Sequence, residues 1–175
     1  MDMTWQGSVD IAAPVEKVYA YLADFPKHCE WAQTLEQMEQ KKPGDASGVG
    51  SVYKTTERQK LQSDRPPRGP MPAGAFKGTT ECEITELVPN RRVAWRSHPA
   101  PVGMGVNAAM SFDLTPLDGN QTRLAQNIKF HQAWLTNQIF TRLVFRKQME
   151  NLETKQEAQW QASLNNIKAI MEEPA

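Results

Sequence analysis

The stretch VNAAMSFDLTPLDGNQTRLAQNIKF, residues 106–130, decides the fold class. Apolar and polar residues alternate through both halves of it, which is the period of a β-strand with one buried face. Asp118-Gly119-Asn120 separates the halves and is a strong hairpin signal. The stretch therefore predicts two antiparallel strands. One shared face carries Val106, Ala108, Met110, Phe112 and Leu114, followed on the return strand by Leu124, Gln126, Ile128 and Phe130.

Upstream, the chain predicts one more strand and two short helices. Residues 5–11 alternate as a half-buried strand, and Pro14 suits the first turn of a helix because its missing N–H would be unpaired there. Asp24-Phe25-Pro26 ends that helix. Asp24 is placed to cap a second helix that carries residues 28–32.

The middle of the chain also predicts sheet. Strands are expected at 49–58, 76–84 and 93–97, the first entered through a glycine-rich turn. Residues 59–74 are rich in proline and cannot continue a strand ladder, so we expect a long loop or flap there. A second loop is expected at 98–105.

The last third predicts a long helix. No Pro or Gly occurs between Gln132 and Glu173, and apolar residues recur at helical spacing. A helix over residues 134–171 would span roughly 55 Å, so we expect a bend or break near Phe145. The buried stripe comprises Leu135, Phe145, Met149, Leu152, Gln156, Trp160, Leu164, Ile167 and Met171.

Composition limits the class of protein. The 175 residues fit a single domain spanning 1–175, and 20 basic residues balance 20 acidic ones. This balance argues against nucleic-acid binding, and no segment is apolar for long enough to insert stably in a membrane. The two cysteines, Cys29 and Cys82, do not make a disulfide framework, so reduced thiols in the cytoplasm are expected. No cofactor or metal site is predicted.

Four sequence segments resemble those of the START-like (SRPBCC) or helix-grip superfamily, which includes the pollen allergen Bet v 1 and the bacterial polyketide cyclase/dehydrase family. The segments are SVDIAAPVEKVYAYLADFPKHCEWA (8–32), CEITELVPNRRVAWRS (82–97), MSFDLTPLDGNQTRLA (110–125) and the terminal SLNNIKAIMEE. The resemblance covers nearly the whole chain. It implies an α+β fold with a curved antiparallel sheet of about six to seven strands around a long C-terminal helix, with two short helices after the first strand.

The resemblance also implies a cavity between sheet and helix that binds a lipid, quinone, polyketide or aromatic molecule. Binding or transport of such a ligand is the leading hypothesis. The alternative is an enzyme of the cyclase or dehydratase type, and a third hypothesis is a homodimer formed through Phe140 and Val144. The expected cavity residues are Trp95, Met110, Phe112, Gln126, Ile128, Met149, Gln156 and Trp160.

Candidate catalytic groups do not form a recognisable constellation. His28 and Cys29 are adjacent on a predicted helix, so their side chains diverge and cannot easily act as a nucleophile–base pair. Gln126 and Gln156 are polar residues among apolar ones; they either bridge sheet to helix or orient a ligand. Arg142 either lies at the cavity mouth or extends to solvent. The other acid–base candidates are His98, His131, Glu57, Arg96, Asp113 and Tyr53.

Overall fold

The computed structural model describes residues 2–32, 35–58, 77–100, 106–132 and 146–173. Seven β-strands in these ranges form one antiparallel sheet in the order β1-β7-β6-β5-β4-β3-β2. The predicted strand count and the antiparallel pairing are confirmed. The strands are β1 (Asp2–Ile11), β2 (Leu35–Lys42), β3 (Val52–Arg58), β4 (Lys77–Val88), β5 (Arg92–Ala100), β6 (Val106–Leu117) and β7 (Gln121–Gln132).

The hairpin of β6 and β7 forms as predicted. Met110 pairs with Ile128 and Phe112 pairs with Gln126 across the two strands, so the apolar face runs continuously across both. Gly119 and Asn120 have φ angles of 72° and 63° in the connecting turn. Glycine adopts this left-handed backbone conformation without a steric cost, and asparagine tolerates it better than most residues, which is why these two residues occupy the turn.

Three helical segments follow one another after β1, as helix α1 (Val15–Ala23), a 3-10 turn (Phe25–Lys27) and helix α2 (His28–Trp31). The prediction that Asp24 caps the second helix is wrong. Its side chain makes no capping hydrogen bond, because it forms a 3.4 Å ion pair with Lys27 instead. Pro14 precedes α1 at the cap position rather than lying in its first turn.

Two predicted boundaries in the sheet also differ from the structure. β3 begins at Val52 rather than at residue 49, because the backbone of Asp45 and Val49 closes the preceding turn with a 2.8 Å hydrogen bond. β5 extends through His98 and Pro99 to Ala100, into the predicted second loop. In the described residues Pro99 pairs only with β4.

Helix α3 (Arg146–Glu172) packs against β1 and α2. Leu164, Ile167 and Met171 on its predicted stripe are buried. Polar contacts fix its end to β1: the Lys168 Nζ donates to the Asp10 carbonyl at 2.6 Å, and the Glu172 carboxylate accepts from the Ala12 N–H at 2.7 Å. The C-terminal half of α3 is therefore anchored at the start of the chain.

Several predicted features lie outside the described residues. They are the proline-rich segment 59–74, the break near Phe145, and Leu135, Phe140, Arg142 and Val144. The side chains of Met149, Leu152 and Gln156, at the start of α3, also lie outside them, as do those of Glu57 and His131.

Candidate functional site

The inner face of the sheet, meaning the side chains directed toward α1, α2 and α3, is the candidate site. One row of paired residues crosses its centre: Val93 on β5, Phe112 on β6, Gln126 on β7 and Gly7 on β1. Val93 and Phe112 are fully buried. Gln126 is therefore an amide at the centre of a mostly apolar face.

The Gln126 side chain lies among apolar neighbours. It is 3% exposed, while Leu124 and Ile128 on either side of it are 0% and 1% exposed. Its Oε1 is buried, and no group in the described part of the chain hydrogen bonds to it. The structure thus places Gln126 on the face that the sequence predicted. It does not give Oε1 the partner that a buried amide normally has.

Six rings form an aromatic cluster between the inner face and the short helices. Phe25 is at its centre, stacked on His28 at 4.6 Å and on Tyr53 at 5.4 Å between ring centroids. Trp95 meets Phe25 edge-on at 5.7 Å. The remaining rings are Trp31 and Phe112, whose centroids are 5.6 Å apart. Sequence reasoning identified only Trp95 and Phe112 of these as cavity residues.

His28 is a neutral, fully buried imidazole in this cluster. Its Nε2 is 2.8 Å from the Leu22 carbonyl oxygen, and since a carbonyl only accepts, Nε2 carries the proton. Burial lowers the pKa of His28 from its ordinary value of 6.5 to about 4, although the Leu22 carbonyl acts in the opposite direction. His28 therefore remains uncharged near neutral pH, with Nδ1 as an acceptor.

Trp31 adds a polar atom that the sequence analysis missed. The residue is 5% exposed, and its buried indole Nε1 has no hydrogen-bond partner within residues 2–32, 35–58, 77–100, 106–132 and 146–173. Its backbone carbonyl accepts a 3.0 Å hydrogen bond from Asn166 of α3. The tryptophan is thus held in position between α2, α3 and the ring of Phe112.

At the β1 side, the inner face meets α3 through two tryptophans. The rings of Trp5 and Trp160 lie 5.3 Å apart, so the predicted cavity residue Trp160 faces the sheet. Gly7 makes room for this arrangement, because a Cβ there would lie 2.5 Å from the Trp5 ring. Met110 and Ile128 extend the same face on β6 and β7.

Three further candidates, Arg96, Asp113 and His98, lie on the opposite, outer face of the sheet. Arg96 is exposed, and Asp113 bonds to the Arg92 guanidinium and accepts a 2.7 Å hydrogen bond from Asn127. This network borders a groove of about 390 Å³ on the outer face. His98 is exposed and hydrogen bonds to Asn107. These groups are separated from the inner face by the sheet.

Within the described residues, neither the two cysteines nor the possible metal-binding side chains form a recognisable reactive site. Neither Cys29 nor Cys82 forms a disulfide bond in the described ranges, and burial raises the pKa of Cys29, which disfavours the nucleophilic thiolate. In the described ranges, no three His, Cys, Asp or Glu side chains are grouped to hold a metal ion. No helix in the same ranges is both long and apolar enough to cross a membrane.

The fold and its inner face define a helix-grip protein. A sequence model described as polyketide cyclase / dehydrase and lipid transport matches residues 3–172. The chain belongs to this family. None of the curated proteins matches the sequence significantly.

Solved structures share the fold at low sequence identity. The Zhui aromatase/cyclase from Streptomyces sp. R1128 is 19% identical, with a TM-score of 0.70 over 98% of this chain and 94% of that one. A protein from Chromobacterium violaceum is 18% identical, with a TM-score of 0.65 over 98% of both chains. Ara h 8.0201 is 9% identical, with a TM-score of 0.59 over 95% and 98%. At these identities the similarity shows the fold alone.

Proposed function

We propose that this single-domain protein binds a hydrophobic small molecule between the inner face of the sheet and helix α3. The observation that carries the proposal is the buried Oε1 of Gln126, which has no hydrogen-bond partner among the described residues and lies on a mostly apolar face. Membership of a family that includes lipid-transport proteins supports the same reading. Ligand sites typically combine apolar walls with a few well-placed polar groups.

The energetics of Gln126 favour a ligand role over a structural one. A buried amide oxygen without a partner lowers stability by about 1–3 kcal/mol. A leucine or methionine at position 126 would avoid that loss, since Leu124 and Ile128 already make the inward side of this strand apolar. A ligand hydroxyl or N–H that donates to Oε1 would supply the missing hydrogen bond and recover part of the lost stability.

The probe 1-aminoanthracene tests the site by fluorescence titration, because its emission rises and shifts to the blue in apolar surroundings. We expect saturable uptake by the wild-type protein. Gln126→Met should weaken uptake by about tenfold through the loss of one hydrogen bond. Lys129→Ala is the matched control, since Lys129 is on the same strand but exposed on the outer face, and it should leave uptake unchanged. No saturable uptake by the wild type would refute the proposal.

A cyclase-type enzyme is the second candidate, and the buried His28 is the observation that favours it. His28 and Tyr53 both stack on the ring of Phe25. Two groups that can transfer protons therefore lie in one apolar cluster. The test is chromatography of a linear triketone incubated with wild type and with His28→Gln. Faster cyclisation that the variant abolishes would support catalysis, whereas equal rates with and without protein would leave binding as the function.

We propose the cytoplasm as the location, since two reduced cysteines are compatible with a reducing compartment. Separation of the protein into cytosolic and membrane fractions, followed by immunodetection, tests this assignment. Recovery mainly with membranes would contradict it.

A further inference from the structure

Two buried side-chain atoms within the described residues have no hydrogen-bond partner, and they are of opposite type. The indole Nε1 of Trp31 is a donor, and the Oε1 of Gln126 is an acceptor. Both residues are more than nine-tenths buried, at 5% and 3% exposure. Native proteins pair most such atoms, so two unpaired atoms in one interior call for an explanation.

The two residues flank the same aromatic ring. Trp31 packs edge-on against Phe112, with 5.6 Å between centroids. Gln126 is the direct cross-strand partner of Phe112, which places their Cβ atoms about 5 Å apart. A ligand that packs against the Phe112 ring would therefore lie next to both residues.

The packing around Trp31 and Gln126 restricts both side chains, so that neither can readily turn toward another hydrogen-bond partner. Trp31 is fixed by the hydrogen bond from Asn166 to its carbonyl and by the rings of His28 and Phe112. Gln126 stands between Leu124 and Ile128, neither of which offers a polar side chain. The two polar atoms are thus held in place without being bonded to each other, an arrangement that is preorganised for a third molecule.

We infer that the Trp31 Nε1–H and the Gln126 Oε1 form a donor–acceptor pair that selects a ligand with both a carbonyl and a hydroxyl on one apolar ring system. The inference rests on the proposed function and specifies which apolar molecules the site prefers. The carbonyl accepts from Trp31 and the hydroxyl donates to Gln126. The ring system is neutral, because the surrounding side chains are aromatic or aliphatic and would not offset the desolvation of a charge.

Four probes of nearly equal shape separate the two contacts. Naphthalene has no polar group, 2-acetylnaphthalene adds an acceptor, 2-naphthol adds a hydroxyl donor, and 6-hydroxy-2-acetylnaphthalene carries both. Equilibrium dialysis against the wild-type protein gives the four dissociation constants. Each added hydrogen bond should improve affinity by roughly fivefold to tenfold over naphthalene, so the probe with both groups should bind tightest.

Two variants assign each gain to its residue. Trp31→Phe should abolish the gain from the acetyl group and leave the gain from the hydroxyl, whereas Gln126→Met should do the reverse. Affinities are expressed relative to naphthalene in the same variant, which removes the effect of any change in cavity shape. Lys129→Ala on the outer face should preserve all four affinities.

An NMR measurement on the wild type covers the case in which Trp31→Phe does not fold. The indole Nε1–H proton of Trp31 should move downfield with the two acetyl probes and not with naphthalene. If all four probes bind with equal affinity, the pair does not select ligands and the inference is overturned while the proposed function stands. If none of them binds, both the inference and the proposed function fail.

Discussion

Replacing Gln126 with methionine should make the unliganded protein more stable. The side chain is 3% exposed and its Oε1 has no partner among the residues that the structure describes, so the wild-type protein carries the desolvation cost of an unpaired amide oxygen, about 1–3 kcal/mol. Methionine keeps the unbranched shape of glutamine and adds apolar burial. We expect the free energy of unfolding to rise by about 1–2 kcal/mol, which for a chain of this size is a rise in Tm of roughly 2–8 °C.

Urea denaturation followed by circular dichroism measures this change, and Thr122→Val is the matched control. Thr122 lies four residues earlier on the same face, but its hydroxyl donates a 2.8 Å hydrogen bond to the Ala13 carbonyl. Valine leaves that carbonyl unpaired, so this variant should lose about 1–3 kcal/mol. If Gln126→Met instead destabilises the protein as Thr122→Val does, then Gln126 has a structural partner and the reasoning is refuted.

Three further predictions follow from the same contacts. Because folding lowers the pKa of His28 from 6.5 to about 4, the unfolded chain binds a proton that the folded one excludes, and the free energy of unfolding should fall by about 2 kcal/mol from pH 7 to pH 5. In urea titrations His28→Gln should lose this part of the pH dependence. An equal pH slope for wild type and variant would contradict the prediction. Gly7→Ala should push the Trp5 ring away from Trp160, costing about 1–3 kcal/mol; an unchanged near-ultraviolet dichroism spectrum and Tm would argue against this packing. Gly119→Ala should cost about 1 kcal/mol, because φ is 72° in the β6–β7 turn, and unaltered stability in the same assay would exclude the strained turn.

The sheet was predictable from sequence because its signals are local. The alternation through β6 and β7 fixes which side chains face inward, and the Asp118–Asn120 turn fixes the register between the strands. The strand β2, by contrast, was not located. Its sequence LEQMEQKK has one strongly apolar residue beyond its first position and is mostly exposed, so it carries little hydrophobic pattern.

The site was only half predictable. Gln126 was found because it interrupts an apolar strand face, a signal that a single element carries. The aromatic cluster was missed because Phe25, His28 and Trp31 belong to a 3-10 turn and a four-residue helix, too short for periodicity to indicate burial. Their spacing of three residues was the available signal, since it places them on one side of a helical segment. Which ring of the sheet they meet depends on tertiary packing and could not be read from the sequence.

Native mass spectrometry of the freshly purified protein tests the central claim most directly. The proposed function predicts a fraction of the wild type with the added mass of a small apolar molecule that is released on denaturation. That fraction should be reduced in Gln126→Met and retained in Lys129→Ala. Wild-type protein that is always at its apo mass and takes up no added apolar probe would contradict the claim that the inner face is a ligand site.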